Sequence, residues 1–257
     1  MGIPIHNKSD FEKMRVIGRY TYQLLNELEN IIKPGISTFD IELKAISFIE
    51  KYNLKSACLG YKGFGNIPFP ANICTSVNHV ICHGIPDKEH VLMEGDIVGV
   101  DVTIIKDGYF GDSCRTFAVG KISEKAKNLI ETTKKAMDVG IQQAYHGNFL
   151  GNIGYEIQHF INSSPIKYSI VEDYCGHGIG TKFHQEPQIE HVGQKNSGIK
   201  MQQGMFFTVE PMINLGSKKT KLLKDNWTVI TKDYSLSAQF EHTIAIGENG
   251  VEIFTKD

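Results

Sequence analysis

Apolar residues recur at helical spacing in three stretches of this chain. In the first, Phe11, Met14, Ile17, Leu24, Leu28 and Ile31 share a face, opened by a capping box at 9–12 (Ser, Asp, Phe, Glu) and stopped by Lys33, Pro34 and Gly35. A second stripe of Ile41, Ala45, Ile46 and Ile49 follows Ser37, with Asp40 in position to cap it. Ser123 opens a third, carried by Ile130, Met137, Ile141 and Ala144. Elsewhere the period falls to two, or the apolar runs become continuous, over 97–105, 109–119, 205–213, 227–231, 240–246 and 251–254. Such a mixture predicts an α+β or α/β chain with a largely antiparallel sheet.

Carboxylates interrupt these strands. Asp107-Gly108 is a two-residue hairpin signal, and that loop sets Asp112 opposite Thr103. Side chains alternate, so Thr103 shares a face with Asp101, and the two aspartates converge. Without a cation such a pair repels unless one carboxyl stays protonated, and a surface hairpin with two solvated acids is the other reading. Glu210 and Glu241 also lie in apolar runs, each with a threonine two residues away, Thr208 and Thr243. Those hydroxyls would orient ligand carboxylates or would serve simply as good strand residues; taken singly, either reading fits.

Gly95 to Asp101 repeats in Gly204 to Glu210 as a glycine, five mostly apolar residues and a carboxylate, which suggests two similar halves or a chance likeness of two strand starts. His177 stands between Gly176 and Gly178, where other backbone can come close. Asp101, Asp112, His177, Glu210 and Glu241 would form a hard, oxygen-rich set unlike the cysteine-rich shell of structural zinc. Bridging carboxylates would hold two ions roughly 3.5 to 4 Å apart with a shared water, which is equipment for amide hydrolysis.

With 257 residues and 41% hydrophobic content, one domain spanning 1–257 is expected, with a short helical extension over roughly 1–35. A net charge of -2 gives no reason to expect nucleic acid or anionic membrane as a partner. Lys218, Lys219, Lys221 and Lys224 read as a solvated face, with a ribosomal or acidic contact as the alternative. Five cysteines without a CxxC pair, and no recognisable export or membrane-spanning run, predict a cytoplasmic protein with reduced thiols.

GVDVTIIKDGYFGDSCRTF, YCGHGIGTKFHQEPQI, GMFFTVEPMI, SLSAQFEHTIAI and ICHGIP, in this order, resemble the type I methionine aminopeptidases. The resemblance runs over almost the whole chain. It implies the pita-bread fold of the creatinase and aminopeptidase group: pseudo-twofold αβ halves around a central antiparallel sheet. It further implies that Asp101, Asp112, His177, Glu210 and Glu241 are ligands of two divalent ions, drawn from Co, Mn, Fe or Zn. His83 would contact the scissile amide or move protons, His184 would stabilise the oxyanion, and Glu210 would also act as general base.

By the same resemblance, Cys58, Tyr61, Phe64, Cys74, Tyr174, Phe183 and Trp227 would line an apolar, sulfur-rich pocket for methionine. Asn78, Val80 and Ser237 would hold Na or K through backbone oxygens. The segment 65–73 is several residues longer than is common in the family, which puts the wall assigned to Phe64 in question. The implied reaction removes initiator methionine from nascent polypeptides with a small second residue, by a monomer at the ribosome. Alternatives with the same fold are an X-Pro peptidase and a non-catalytic adaptor. A mononuclear iron oxygenase would want two histidines and one carboxylate, and the excess of carboxylates disfavours it.

Overall fold

The computed structural model describes residues 2–63 and 67–257, so Phe64 lies outside the described residues. In chain order the elements are α1 (Lys8–Glu29), α2 (Thr38–Lys51), β1 (Lys55–Ser56), β2 (Cys74–Val77), β3 (Val80–Cys82), β4 (Ile97–Lys106), β5 (Tyr109–Ala118), α3 (Glu124–Ile141) and α4 (Gly151–Asn162). The second half continues with β6 (Ser169–Ile170), β7 (Gly176–Gly178), β8 (Gln185–Ile189), β9 (Phe206–Val209), β10 (Met212–Asn214), β11 (Thr220–Leu222), β12 (Val229–Thr231), β13 (Ser237–Gln239), β14 (His242–Gly247) and β15 (Gly250–Ile253).

Every strand pairing among the described residues is antiparallel, as the mixed periodicities predict. Two apolar cores divide the molecule. Met14, Ile17 and Leu24 of α1 join Ile41 and Phe48 of α2 against Val98, Val100, Val102 and Ile104 of β4. Leu129 and Met137 of α3 join Ile153 and Ile157 of α4 against Phe207 and Val209 of β9 and Ile244 and Ile246 of β14. Because side chains alternate, filling the first core with the even positions of β4 turns Asp101 and Thr103 toward the interior between the halves.

That interior is closed by side chains that cross from sheet to sheet. Ser113 Oγ donates to the Glu241 carbonyl at 2.6 Å, and the Glu241 amide donates to the Cys114 carbonyl at 2.9 Å. Thr243 Oγ1 donates to the Asp112 carbonyl at 2.8 Å. The segment leading into β14 therefore runs along β5 and brings Glu241 beside the hairpin.

Several expectations need adjustment. The first helix is capped by Asn7, whose Oδ1 accepts from the Ser9 and Asp10 amides at 2.8 and 3.3 Å, while Asp10 Oδ2 accepts from the Asn7 amide at 2.8 Å. Asn7 and Asp10 satisfy each other's orphan donors, so the helix begins before the box read at 9–12. The run 205–213 is two strands rather than one, broken at Glu210 and at Pro211, which has no N–H for a ladder. Helix α4 was not anticipated, since Gly151 and Gly154 mask the helical spacing of Ile153, Ile157 and Ile161. Gly95 and Gly204, which open the two copies of the repeat, both have positive φ, +96° and +90°. A shared backbone requirement thus underlies that repeat.

Candidate metal centre

The β4–β5 turn at Asp107 (φ +50°) and Gly108 (φ +80°) produces the predicted register, with Thr103 opposite Asp112 and Asp101 opposite Cys114. Asp101 and Asp112 consequently share one face. Thr103 Oγ1 donates to Asp112 Oδ1 at 2.8 Å, so it orients Asp112 rather than its neighbour Asp101. On β7, the His177 amide donates to Thr208 Oγ1 at 3.0 Å, and Nδ1 lies 3.1 Å from the Gly178 carbonyl. A carbonyl only accepts, so this partner assigns the ring proton to Nδ1 and leaves Nε2 with a free lone pair. That Nε2 is 3.5 Å from Asp112 Oδ2 and 3.6 Å from Glu210 Oε1.

Thr208 Oγ1 donates to Glu210 Oε1 at 2.7 Å, and Gln239 Nε2 reaches Glu210 Oε2 at 3.3 Å. Thr243 bonds the backbone of Asp112 instead of the Glu241 carboxylate. Of the three threonines, Thr208 alone serves the acid two residues away. Asp112, His177 and Glu241 each offer one donor atom, and these lie within 4.8 Å of one another. Among the described residues, Glu241 Oε1 and Asp101 Oδ1 are buried without a hydrogen-bond partner, a costly arrangement for a carboxylate.

Electrostatics carries the same message. Burial first, and then the charge of Asp112, pushes the Asp101 and Glu241 carboxyls well above the usual range. Burial raises Glu210 to about 7, against the opposing pull of His177 and the Thr208 hydroxyl. Burial by itself would lower His177, yet the acids Asp112 and Glu210 beside its Nε2, which favour the protonated ring in the metal-free site, outweigh that and raise it. These acids cannot all ionise side by side in a dry site, whereas a cation reverses the balance and favours their charged forms. The donor set and its unpartnered oxygens thus fit divalent ions.

Around this cluster stand His83, His184 and an apolar wall. His83, the residue after β3, takes a left-handed conformation, φ +57°, and burial lowers its pKa to about 4 against the pull of Asp112. Gly84 follows because a Cβ there would collide with the Thr75 carbonyl. His184 is exposed on one side, yet its ring centroid lies 4.1 Å from that of His177 and 4.0 Å from that of Phe183. Partial burial, then repulsion by His177 and His83, lowers its pKa. The Tyr61 hydroxyl is 2.8 Å from His184 Nδ1.

Cys58, Cys74, Phe183 and Trp227 meet in one small cluster, and Tyr61 packs 4.9 Å from Phe183 and 6.5 Å from Trp227. Tyr174 belongs to a neighbouring cluster with Ile81 and Met212, and touches the site through His83, 5.7 Å away between ring centroids. The sequence reading missed Phe69, Ala71 and Ile85, which join the wall. Phe69 sits edge-on to Trp227 at 5.3 Å. Ile85 follows the His83-Gly84 pair, whereas Phe69 and Ala71 signal themselves through the apolar content of the long loop, and nothing local says where a loop packs. The end of that loop is latched by Glu42, which accepts from Asn72 N and Nδ2, both at 2.8 Å, and from Ile73 N at 3.2 Å. Asn78 and Ser237 also meet, with the Ser237 amide donating to the Asn78 carbonyl at 2.8 Å, and Val80 begins the adjacent strand. Ser237 Oγ is buried without a partner among the described residues.

Residues 12–248 match the pattern of metallopeptidase family M24. The chain belongs to that family. It is 46% identical over 254 residues to methionine aminopeptidase B of Synechocystis, covering 99% of this chain and 92% of that one. The crystal structure of methionine aminopeptidase from Rickettsia prowazekii, at 47% identity, superposes with a TM-score of 0.95 over 99% of this chain and all of that one. Prolidase from Pyrococcus furiosus, at 19% identity, covers 98% of this chain and 65% of that one with a TM-score of 0.75, which shows the shared fold alone. These likenesses bear out the expected α+β, pita-bread architecture, and metal dependence follows from the family.

Proposed function

We propose that this chain is a methionyl aminopeptidase that removes the N-terminal methionine from nascent polypeptides with a small second residue. Two divalent ions, chosen among Co, Mn, Fe and Zn by availability, are held by Asp101, Asp112, His177, Glu210 and Glu241. The observation that carries the reading is the pair of buried, unpartnered oxygens, Asp101 Oδ1 and Glu241 Oε1, beside the close triad of Asp112, His177 and Glu241. Bound there, the ions supply Lewis acidity and a nucleophile at neutral pH.

The remaining chemistry falls to side chains of this chain. Glu210, a carboxylate beside the position of the attacking water, is suited to take a proton during attack and to return it to the leaving amine. The Tyr61 hydroxyl lies 2.8 Å from Nδ1, and in the tautomer in which it donates there, His184 carries its proton on Nε2 and can donate to the carbonyl oxygen as charge develops. His83, kept neutral by burial, contacts the scissile amide. Cys58, Cys74, Tyr61, Phe183 and Trp227, with Phe69 and Ala71, receive the methionine side chain, whose thioether packs well on aromatic faces and thiols. Tyr174 closes the pocket behind His83. Phe64, outside the described residues, keeps its assignment from the sequence resemblance.

A Na or K ion at the carbonyls of Asn78, Val80 and Ser237 is part of the same reading, supported by the meeting of Asn78 with Ser237. Residues 1–257 work as one catalytic domain, as a monomer in the cytoplasm at the ribosome, without recognising nucleic acid or membrane. The five cysteines are free, and no helix among the described residues is long and apolar enough to cross a membrane. The test is hydrolysis of Met-Ala-Ser against X-Pro and non-methionine peptides by metal-free protein titrated with Mn or Co. Metal-dependent release of methionine is expected. Preference for X-Pro substrates would favour a prolidase-like activity, and absence of any metal-dependent cleavage would sink the enzyme reading.

A further inference from the structure

Glu210 sits where the chain leaves β9 for β10, and neither strand includes it. Pro211 follows, so no ladder hydrogen bond from the next residue steadies the turn. The Glu210 amide finds its partner in a side chain: it donates to Nε2 of His191 at 3.1 Å. His191 is 2% exposed and lies just beyond β8, nineteen residues from Glu210 in sequence. An imidazole that accepts at Nε2 must carry its proton on Nδ1, and that nitrogen is buried with no partner among the described residues.

We propose that His191 is a positioning residue for Glu210, a neutral imidazole held in one tautomer whose Nε2 sets the backbone at the strand break and so aims the carboxylate. This rests on the reading of Glu210 as ligand and base. Three groups then constrain Glu210: Thr208 and Gln239 take one carboxylate oxygen each, and His191 takes the amide. Thr208 and Gln239 restrict the carboxylate alone, whereas His191 restricts the peptide from which it projects. A protonated His191 would oppose a donor to a donor, and the other tautomer would do the same. Aromatic bulk alone cannot replace it, because a carbon edge leaves the Glu210 amide unpaired at the point where the strand ends.

The test compares His191→Phe, which keeps a ring but removes the acceptor, with His191→Gln, whose side-chain oxygen can accept. In Mn-loaded enzyme with Met-Ala-Ser, His191→Phe should lower kcat roughly 10- to 100-fold, the usual cost of removing a group that orients a metal ligand, with KM nearly unchanged. His191→Gln should recover a clear part of that loss at equal folded fraction. Equal kcat in the two variants, or a loss that only tracks unfolding, would overturn the proposal. Wild-type holoenzyme gives a readout independent of variant folding: the 15N signals of His191 should report an unprotonated Nε2, and a protonated Nε2 would overturn it. Glu210→Gln run in parallel separates the two layers. If that variant keeps both ions and wild-type kcat, the ligand reading has failed; if it is inactive while His191→Phe is fully active, only the His191 link has failed.

Discussion

The metal cluster and the pocket wall adjoin each other but are built in opposite ways. The candidate ligands project from strands or strand ends, and Asp101 and Asp112 are brought together by the β4–β5 hairpin, whose register follows from a two-residue turn. The wall is assembled from residues far apart in the chain, Cys58, Phe69, Cys74, Phe183 and Trp227, and part of it is a loop. Rigid strands suit groups that must not move when charges crowd together, while a loop can change length and contour without disturbing them. Chemistry and selectivity should accordingly break separately under mutation.

The largest effect is expected in the cluster. Asp112→Asn should lose metal binding and lower kcat/KM on the order of 10³-fold or more, since several kcal/mol of charge stabilisation is removed; calorimetric titration with Mn and peptide kinetics check both. An active Asp112→Asn enzyme would dissolve the distinction between the two regions. Next, His83→Ala should keep both ions yet lose roughly 10²-fold in kcat, the usual contribution of a positioned proton-handling group. Loss of metal instead would move His83 into the cluster.

In the wall, Phe69→Ala should raise KM for Met-Ala-Ser roughly tenfold, about 1.4 kcal/mol of lost apolar contact, with little change in kcat or metal content. Glu42→Ala, which unlatches the same loop from a distance, should shift KM in the same direction by less. It should also cost on the order of 1–3 kcal/mol of stability for the donors left unpaired, visible as a lower urea midpoint. A fall in kcat as large as the rise in KM would show that wall and cluster are mechanically one.

The smallest effect concerns the metal-free protein. Carboxyls raised in the folded state, as at Asp101, Glu210 and Glu241, bind protons that the unfolded chain has already released. Their contribution is therefore complete at low pH and is lost as pH climbs through the folded value, about 7 for Glu210. Buried histidines work the other way: His83, His191 and His242, lowered to about 4, 3 and 3, favour unfolding in acid and fall silent above their ordinary 6.5. The Tm of metal-free protein should consequently decline as pH rises from about 6.5, the ordinary histidine value, through about 7, the folded value of Glu210, and saturating Mn should remove the decline. A flat or rising Tm without metal would mean that the acids are not forced together.

The hairpin was legible because strand parity is local: one turn type and a period of two suffice to bring Asp101 and Asp112 together. The repeat was legible for a related reason, as Gly95 and Gly204 both satisfy a positive φ before a strand. Phe69 was not legible, because an apolar residue in a long loop carries no record of the Trp227 edge it will meet. The threonines illustrate the boundary. Thr103 and Thr208 both bond carboxylates, but Thr103 serves the acid across the hairpin and Thr208 the acid two residues further along the chain, just past its strand. Local spacing could not separate those outcomes. The break at Glu210-Pro211 and the helix α4 are hidden by composition, a continuous apolar run in one case and two glycines in the other.

Sequence alone determined which residues are acids on strand faces, where the tight turn falls, and that hard oxygen donors outnumber every softer ligand. These are properties of single residues and near neighbours, fixed by side-chain alternation and turn stereochemistry. Tertiary structure decided which of those acids lose their hydrogen-bond partners, which loop walls the pocket, that Glu42 latches it, and that His191 holds the Glu210 amide. Each of these joins groups from nineteen to more than a hundred residues apart, and depends on which faces meet when the two cores close.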